Sequence, residues 1–162
     1  MRKVLNTIER VAMFLAIACA MIMICIVVWQ VYTRTFLPRA PAWTEELARM
    51  LYVHVVGFAA PIALRKDRLM AVDIIFEMLS PRGKIIQRLF SRVIVLVFSV
   101  IFAYLAYGFF MIGFRELTVA LQWSMAIPFA SMLICGVLCV IYSVETTIKD
   151  FKSVITKGEL SS

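Results

Sequence analysis

Four stretches of the chain carry no charged side chain: Val11 to Thr33, Met50 to Leu64, Val93 to Phe114 and Leu117 to Val144. A helix that crosses the hydrocarbon of a bilayer needs roughly 20 predominantly apolar residues, so the first, third and fourth stretches suffice alone. The second reaches a full span only if its helix begins near Thr44 and carries Glu45, Glu46 and Arg49 in its first turns. The pattern predicts an all-α membrane protein with four transmembrane helices at about 11–33, 44–64, 85–114 and 120–146, forming a single domain over residues 1–162.

The polar opening of the second span, "WTEELAR" from Trp43 to Arg49, has a physical logic. Acids near a helix N-terminus meet the positive end of the helix dipole, and a tryptophan there lies at interface depth. Glu45 and Arg49 are spaced i,i+4 and Glu46 and Arg49 i,i+3, so either acid can pair with the arginine on one face. Pro38 and Pro41 suit a non-helical approach to this start.

Further along, Ser80 and Pro81 read as an N-cap and first helical position. A helix from Pro81 to Phe114 would be about 50 Å long, more than the roughly 30 Å hydrocarbon core, so the helices are expected to tilt or to project into the cytoplasm. The segment between spans two and three mixes basic residues with Val72, Ile75, Phe76 and Leu79, the pattern of an interfacial cytoplasmic segment able to touch acidic lipid heads. A short link from Gly113 to Leu117 would make spans three and four an antiparallel hairpin, and Pro128, read as lying inside the fourth helix, is expected to kink it. In the first helix Ala12, Ala16 and Ala20 form a small-residue stripe against which another helix can pack closely.

Composition agrees: 63% of the residues are apolar and 17% charged, with a mean hydropathy of +0.93. The net charge of +7 is mostly a topology signal. Arg2, Lys3 and Arg10 precede the first span, seven basic residues from Arg65 to Arg92 lie between the second and third, and Lys149, Lys152 and Lys157 follow the fourth. Only Arg34, Arg39, Arg49 and Arg115 fall on the other side. Both termini and the middle segment are therefore expected to be cytoplasmic, and no nucleic acid partner is needed to explain the charge. "LAIAC", ending at Cys19, imitates a lipoprotein cleavage site, but the apolar run continues through Trp29, too long for the apolar part of a signal peptide.

The spans offer little chemistry. A transporter working alone keeps ionisable groups inside the membrane only for use, because each costs roughly 2.5 to 3.5 kcal/mol at mid-bilayer. His54 is the one histidine, which suits a hydrogen-bonding structural residue and excludes bis-histidine haem ligation. Cys19, Cys25, Cys135 and Cys139 lie in apolar runs, which does not suit redox thiols, and Cys135 and Cys139, at i,i+4 on one face, read as two small buried hydrophobes. The expectation is a protein that is not an enzyme, has no cofactor or metal of its own, and works as a partner of something else.

"WTEELAR" resembles the tryptophan, acidic pair and arginine that open the second helix in small membrane subunits of tripartite ATP-independent periplasmic (TRAP) transporters. "AVD" at Ala71 to Asp73 and "AIPFASM" at Ala126 to Met132, with Pro128 near its start, are similar to that family's motifs. The resemblance implies a bacterial inner-membrane subunit of a secondary importer for an organic acid, of the sialic acid or dicarboxylate class. A periplasmic binding protein would deliver the acid to a large membrane subunit that holds the substrate and sodium sites, while this chain enlarges and anchors the static scaffold. Trp43, Glu45, Glu46, Arg49, Asp73 and Pro128 are then the candidate anchor residues toward the large subunit or membrane lipids. The alternative is a stand-alone four-helix interaction or assembly protein of the inner membrane.

Overall fold

The computed structural model describes residues 2–36, 41–66 and 81–159. They form four long helices: α1 (Arg2–Phe36), α2 (Ala42–Arg65), α3 (Pro81–Gly113) and α4 (Ala126–Glu159). Each contains a stretch long and apolar enough to span a membrane. The interfacial segment expected between the second and third spans falls largely outside the described residues, as do Asp73 and Ser80.

Alpha-helical heptads explain how the four are arranged. On α1 the buried and half-buried positions recur every seven residues as Leu5, Ala12, Cys19, Ile26 and Thr33, with a second row from Glu9 through Ala16 and Met23 to Gln30. A repeat of 3.5 residues keeps one stripe facing one neighbour over the whole length of a helix. On α3 the same repeat joins Arg92, Ser99, Ala106 and Gly113. Accordingly α1 packs on α2 and α3 on α4, while α2 and α4 pack on each other, giving the spatial order α1, α2, α4, α3. Of the residues in the most apolar part of each span, 33% are buried in the inner helices and only 11% in the outer ones, so α1 and α3 each leave a broad apolar surface to lipid or to another protein.

Small residues set the two closest crossings. A Cβ on Gly57 of α2 would lie 2.1 Å from Ser131 Oγ of α4, and Ser131 Oγ donates to the Val53 carbonyl at 3.0 Å. A Cβ on Gly136 of α4 would lie 2.8 Å from Ala103 Cα of α3. Ser99 Oγ and Ser143 Oγ meet at 3.3 Å across that second crossing. Ala12 and Ala16 are buried in the α1–α2 contact, with Ala20 half-buried, so the small-residue stripe lies at a helix interface.

One proline expectation changes. The proline inside a helix is Pro61, buried in α2 one turn after Gly57. Pro128 is the third residue of α4, where its missing N–H is one of the amides that have no intrahelical partner anyway. It therefore marks a helix start and gives no reason for a kink. The link between α3 and α4 is also longer than the short turn expected, running over residues 114–125, although the two helices do form the antiparallel hairpin.

Candidate functional site

Two polar clusters sit on α2, nineteen positions apart at Glu46 and Arg65. At 1.5 Å per residue that is about 28 Å, close to the thickness of a bilayer's hydrocarbon. One cluster gathers the link end of the bundle, the other the end where α1 begins and α4 runs out.

At the link end, α2 starts without a side-chain cap: Pro41 precedes it in an extended conformation. Thr44, fully buried, donates from Oγ1 to the Pro41 carbonyl at 2.7 Å and from its N–H at 3.3 Å. Glu46 points away from Arg49 and into the link, where its Oε2 accepts the N–H groups of Ala120 at 2.8 Å and Leu121 at 2.9 Å. The link is shaped to present them. Thr118 donates its N–H to the Trp123 carbonyl at 2.7 Å and accepts the Trp123 N–H on its Oγ1 at 3.0 Å, while Leu117 and Ser124 form an isolated antiparallel bridge. Gln122 takes φ 56°, a left-handed conformation that a residue with a Cβ rarely adopts, and it closes back onto Val119 and Thr118 through its side chain and N–H. Ser124 Oγ accepts the Ala126 N–H and donates to the Gly113 carbonyl, joining the end of α3 to the start of α4. One carboxylate from α2 thus holds a turn that hydropathy alone places inside an uninterrupted apolar run.

Of the expected anchor residues, Glu45 and Arg49 form the i,i+4 ion pair at 3.1 Å on an exposed face. The Glu46–Arg49 pairing does not form, because the link amides take Glu46. Trp43 is partly exposed and, with Met21, Ile22, Cys25, Ile26 and Trp29 of α1, lines an open apolar groove of about 430 Å³. Pro128 is half-buried in the first turn of α4, and Asp73 lies outside the described residues. The described site residues are therefore dispersed over four structural settings, with Glu45 and Arg49 paired to each other.

The second cluster was not among the expected residues. Arg65, whose side chain is 9% exposed, makes five hydrogen bonds, as many as a guanidinium has donors. Nε and Nη2 donate to the two carboxylate oxygens of Glu145 on α4 at 3.0 and 3.4 Å. Nη1 donates to Glu9 of α1 and, at 3.4 Å, to the Leu5 carbonyl. Nη2 also donates to Asn6 Oδ1 at 2.8 Å. Lys66 reaches the other oxygen of Glu9 at 3.0 Å, and the Tyr142 ring lies 5.2 Å from the guanidinium carbon. Two acids and two bases from three helices are thereby neutralised within one knot. The sequence signal was weak, since Arg65 and Lys66 read as topology charges and nothing local singles out Glu9 or Glu145.

His54 donates from Nδ1 to the Met50 carbonyl at 2.8 Å, one helical turn back, and its ring lies beside Phe58. The four cysteines are free thiols, Cys135 buried and Cys19 and Cys139 half-buried.

Four apolar helices, ion pairs at both ends of α2 and broad apolar outer surfaces define a multi-pass helical membrane protein. Residues 23–153 match the family described as tripartite ATP-independent periplasmic transporters, DctQ component, and the chain belongs to that family. It is 23% identical over 150 residues to a putative TRAP transporter small permease protein of Haemophilus influenzae, covering 93% of this chain and 91% of the relative. It is 25% identical over 97 residues to the sialic acid TRAP transporter small permease protein SiaQ of Vibrio cholerae, covering 60% of this chain and 54% of the relative. The chain is thus a small permease subunit of a TRAP transporter, a transporter component rather than a member of an enzyme family.

Proposed function

We propose that this chain is the non-catalytic small subunit that enlarges and anchors the scaffold of a large permease subunit in the bacterial inner membrane. The large subunit carries an organic acid, received from a periplasmic binding protein, and holds the sodium sites that drive uptake. The carried acid is of the sialic acid or dicarboxylate class. The observation that carries this reading, beside family membership, is the placement of the ion pairs. Arg65, Glu9, Glu145 and Lys66 neutralise one another at one end and Glu46 is spent on the link at the other, so these groups hold the helices in place. The start of α1 and the end of α4 lie at the Arg65 end, and the excess of basic residues there supports a cytoplasmic placement.

Two measurements test this reading. A tagged chain co-expressed with the large permease subunit and extracted in mild detergent should elute with it in a fixed ratio; elution alone would favour a stand-alone assembly protein. Reporter fusions at each terminus should be active only in cytoplasmic form, and a periplasmic signal from either would overturn the orientation.

A further inference from the structure

The link between α3 and α4 carries the most exposed large apolar side chain among the described residues, Val119 at 87%, and Phe114, Leu117 and Trp123 of the same link are exposed as well. Leu117 and Val119 flank Thr118, whose side chain is buried in the turn, so the two leave the backbone on the side away from it. No residue from Leu117 to Met125 is charged. A loop bathed on all sides by water gains nothing from this composition.

The backbone of the link is also closed on itself. The N–H groups of Thr118, Gln122, Trp123 and Met125 have acceptors within the link, and those of Ala120 and Leu121 have the Glu46 carboxylate. Water would satisfy the same amides without a side chain from another helix, whereas irregular backbone at the edge of hydrocarbon is tolerated only when its polar groups are bonded internally. Depth agrees with the second setting. Glu46 lies about 28 Å along α2 from Arg65, nearly the roughly 30 Å of a hydrocarbon core, so a turn bonded to it sits at the boundary of that core. Trp43 lies farther out on α2 than Glu46, and Trp29, which shares its groove, is followed by about 10 Å of α1 ending at Phe36. The link is thus recessed below the outer end of α1.

We infer that the link is a lipid-binding element, inserted where acyl chains meet headgroups in the leaflet at its own end, with Leu117 and Val119 among the chains and Trp123 at the depth that indoles favour. Glu46 stands in for water there, accepting the two amides at the tip of the turn. Arg115, exposed just beyond the end of α3, has a stem long enough to carry its charge out to the headgroups. Lipid fits better than a protein partner, because a protein covering the tip presents acceptors of its own and leaves no need for a carboxylate brought from α2. This placement depends neither on the acid carried nor on which side of the membrane the link faces.

The test places an environment-sensitive fluorescent amino acid at position 119 of the full chain, reconstituted in phosphatidylcholine liposomes both alone and with the large permease subunit. Blue-shifted emission is expected in both, quenched more by a lipid with a nitroxide near its headgroup than by one with a nitroxide at the chain end, and spared by iodide in the water. Quenching by iodide with none from either lipid would put the link in water and overturn the proposal. Stronger quenching by the deep nitroxide would place it in the bilayer core, and lipid quenching that vanishes when the large subunit is present would make that subunit the occupant; either result also refutes it. In the same labelled chain Glu46→Ala should shift the emission to the red and admit iodide, because two bare amides draw the turn toward water, while Glu46→Gln should keep the parent signal. Unchanged emission in Glu46→Ala would show that the fluorophore rather than the link seeks the lipid, and would overturn the proposal too.

Discussion

Arg65 offers the most demanding test of how the bundle is held. Its side chain and those of Glu9 and Glu145 are 9%, 18% and 11% exposed, so replacing it with alanine strands two carboxylates in a poorly solvated site. Removing one partner from a buried ion pair costs roughly 3 to 5 kcal/mol, because the remaining charge is left uncompensated. Lys66 still neutralises one oxygen of Glu9 but lies too exposed to replace the fork that Arg65 makes to both acids. Taking about 3 kcal/mol, and 2 to 4 °C per kcal/mol for a chain of this size, Arg65→Ala should unfold on the order of 10 °C below the parent. Arg65→Lys should lose much of the same, since an ammonium cannot make five directed bonds. With the exposed Cys25 replaced by alanine throughout the series, the buried thiol of Cys135 makes a reporter, because a thiol-reactive dye in detergent fluoresces as the helices separate. The triple variant Arg65→Met, Glu9→Gln, Glu145→Gln removes the stranded charges along with the cation and should recover most of the loss. An Arg65→Ala protein melting within 2 °C of the parent, or a triple variant no better than the single one, would refute the reasoning.

Three further outcomes follow from the close contacts. Gly57→Ala drives a methyl into Ser131 and should cost about 1 to 3 kcal/mol in the same thermal assay, and no change would mean that the α2–α4 crossing is looser than described. Gly136→Ala should destabilise likewise against Ala103, whereas Gly108→Ala, whose methyl meets nothing within 4 Å, should be neutral or slightly stabilising; equal effects from the two would contradict the α3–α4 packing. Glu46→Ala should speed hydrogen exchange at Ala120 and Leu121, while Glu46→Gln, which keeps an acceptor oxygen for both amides, should stay near the parent. Identical exchange in all three proteins would show that the carboxylate does not hold the link.

The four spans were legible because an uncharged run of about 20 residues matches the thickness of a bilayer's hydrocarbon and exceeds the length of an ordinary buried core helix. Helix starts near Trp43 and at Pro81 were legible for the same kind of reason, since tryptophan depth and proline geometry are local. The Arg65 knot was not, because its partners lie 56 and 80 positions away and each residue has a sufficient local meaning as a topology charge or a span-end acid. The link over residues 114–125 hid inside an apolar run from Leu117 to Val144: its turn is made by Gln122 with a positive φ, where a glycine would have announced it, and by a carboxylate from another helix. Pairing of Glu45 rather than Glu46 with Arg49 depended on that same long-range demand. Pro128 was read as interior to the fourth helix, and only the position of the helix start shows it to be terminal, while Pro61 is interior to α2.

Uptake of radiolabelled sialic acid and succinate into proteoliposomes, under a sodium gradient, addresses the central claim most directly when this chain, the large permease subunit and the binding protein are each omitted in turn. Uptake that requires all three, and that is lost when this chain alone is left out, is the expected result. Full uptake by the large subunit and binding protein without it would contradict the claim that this chain is the anchoring subunit of the transporter.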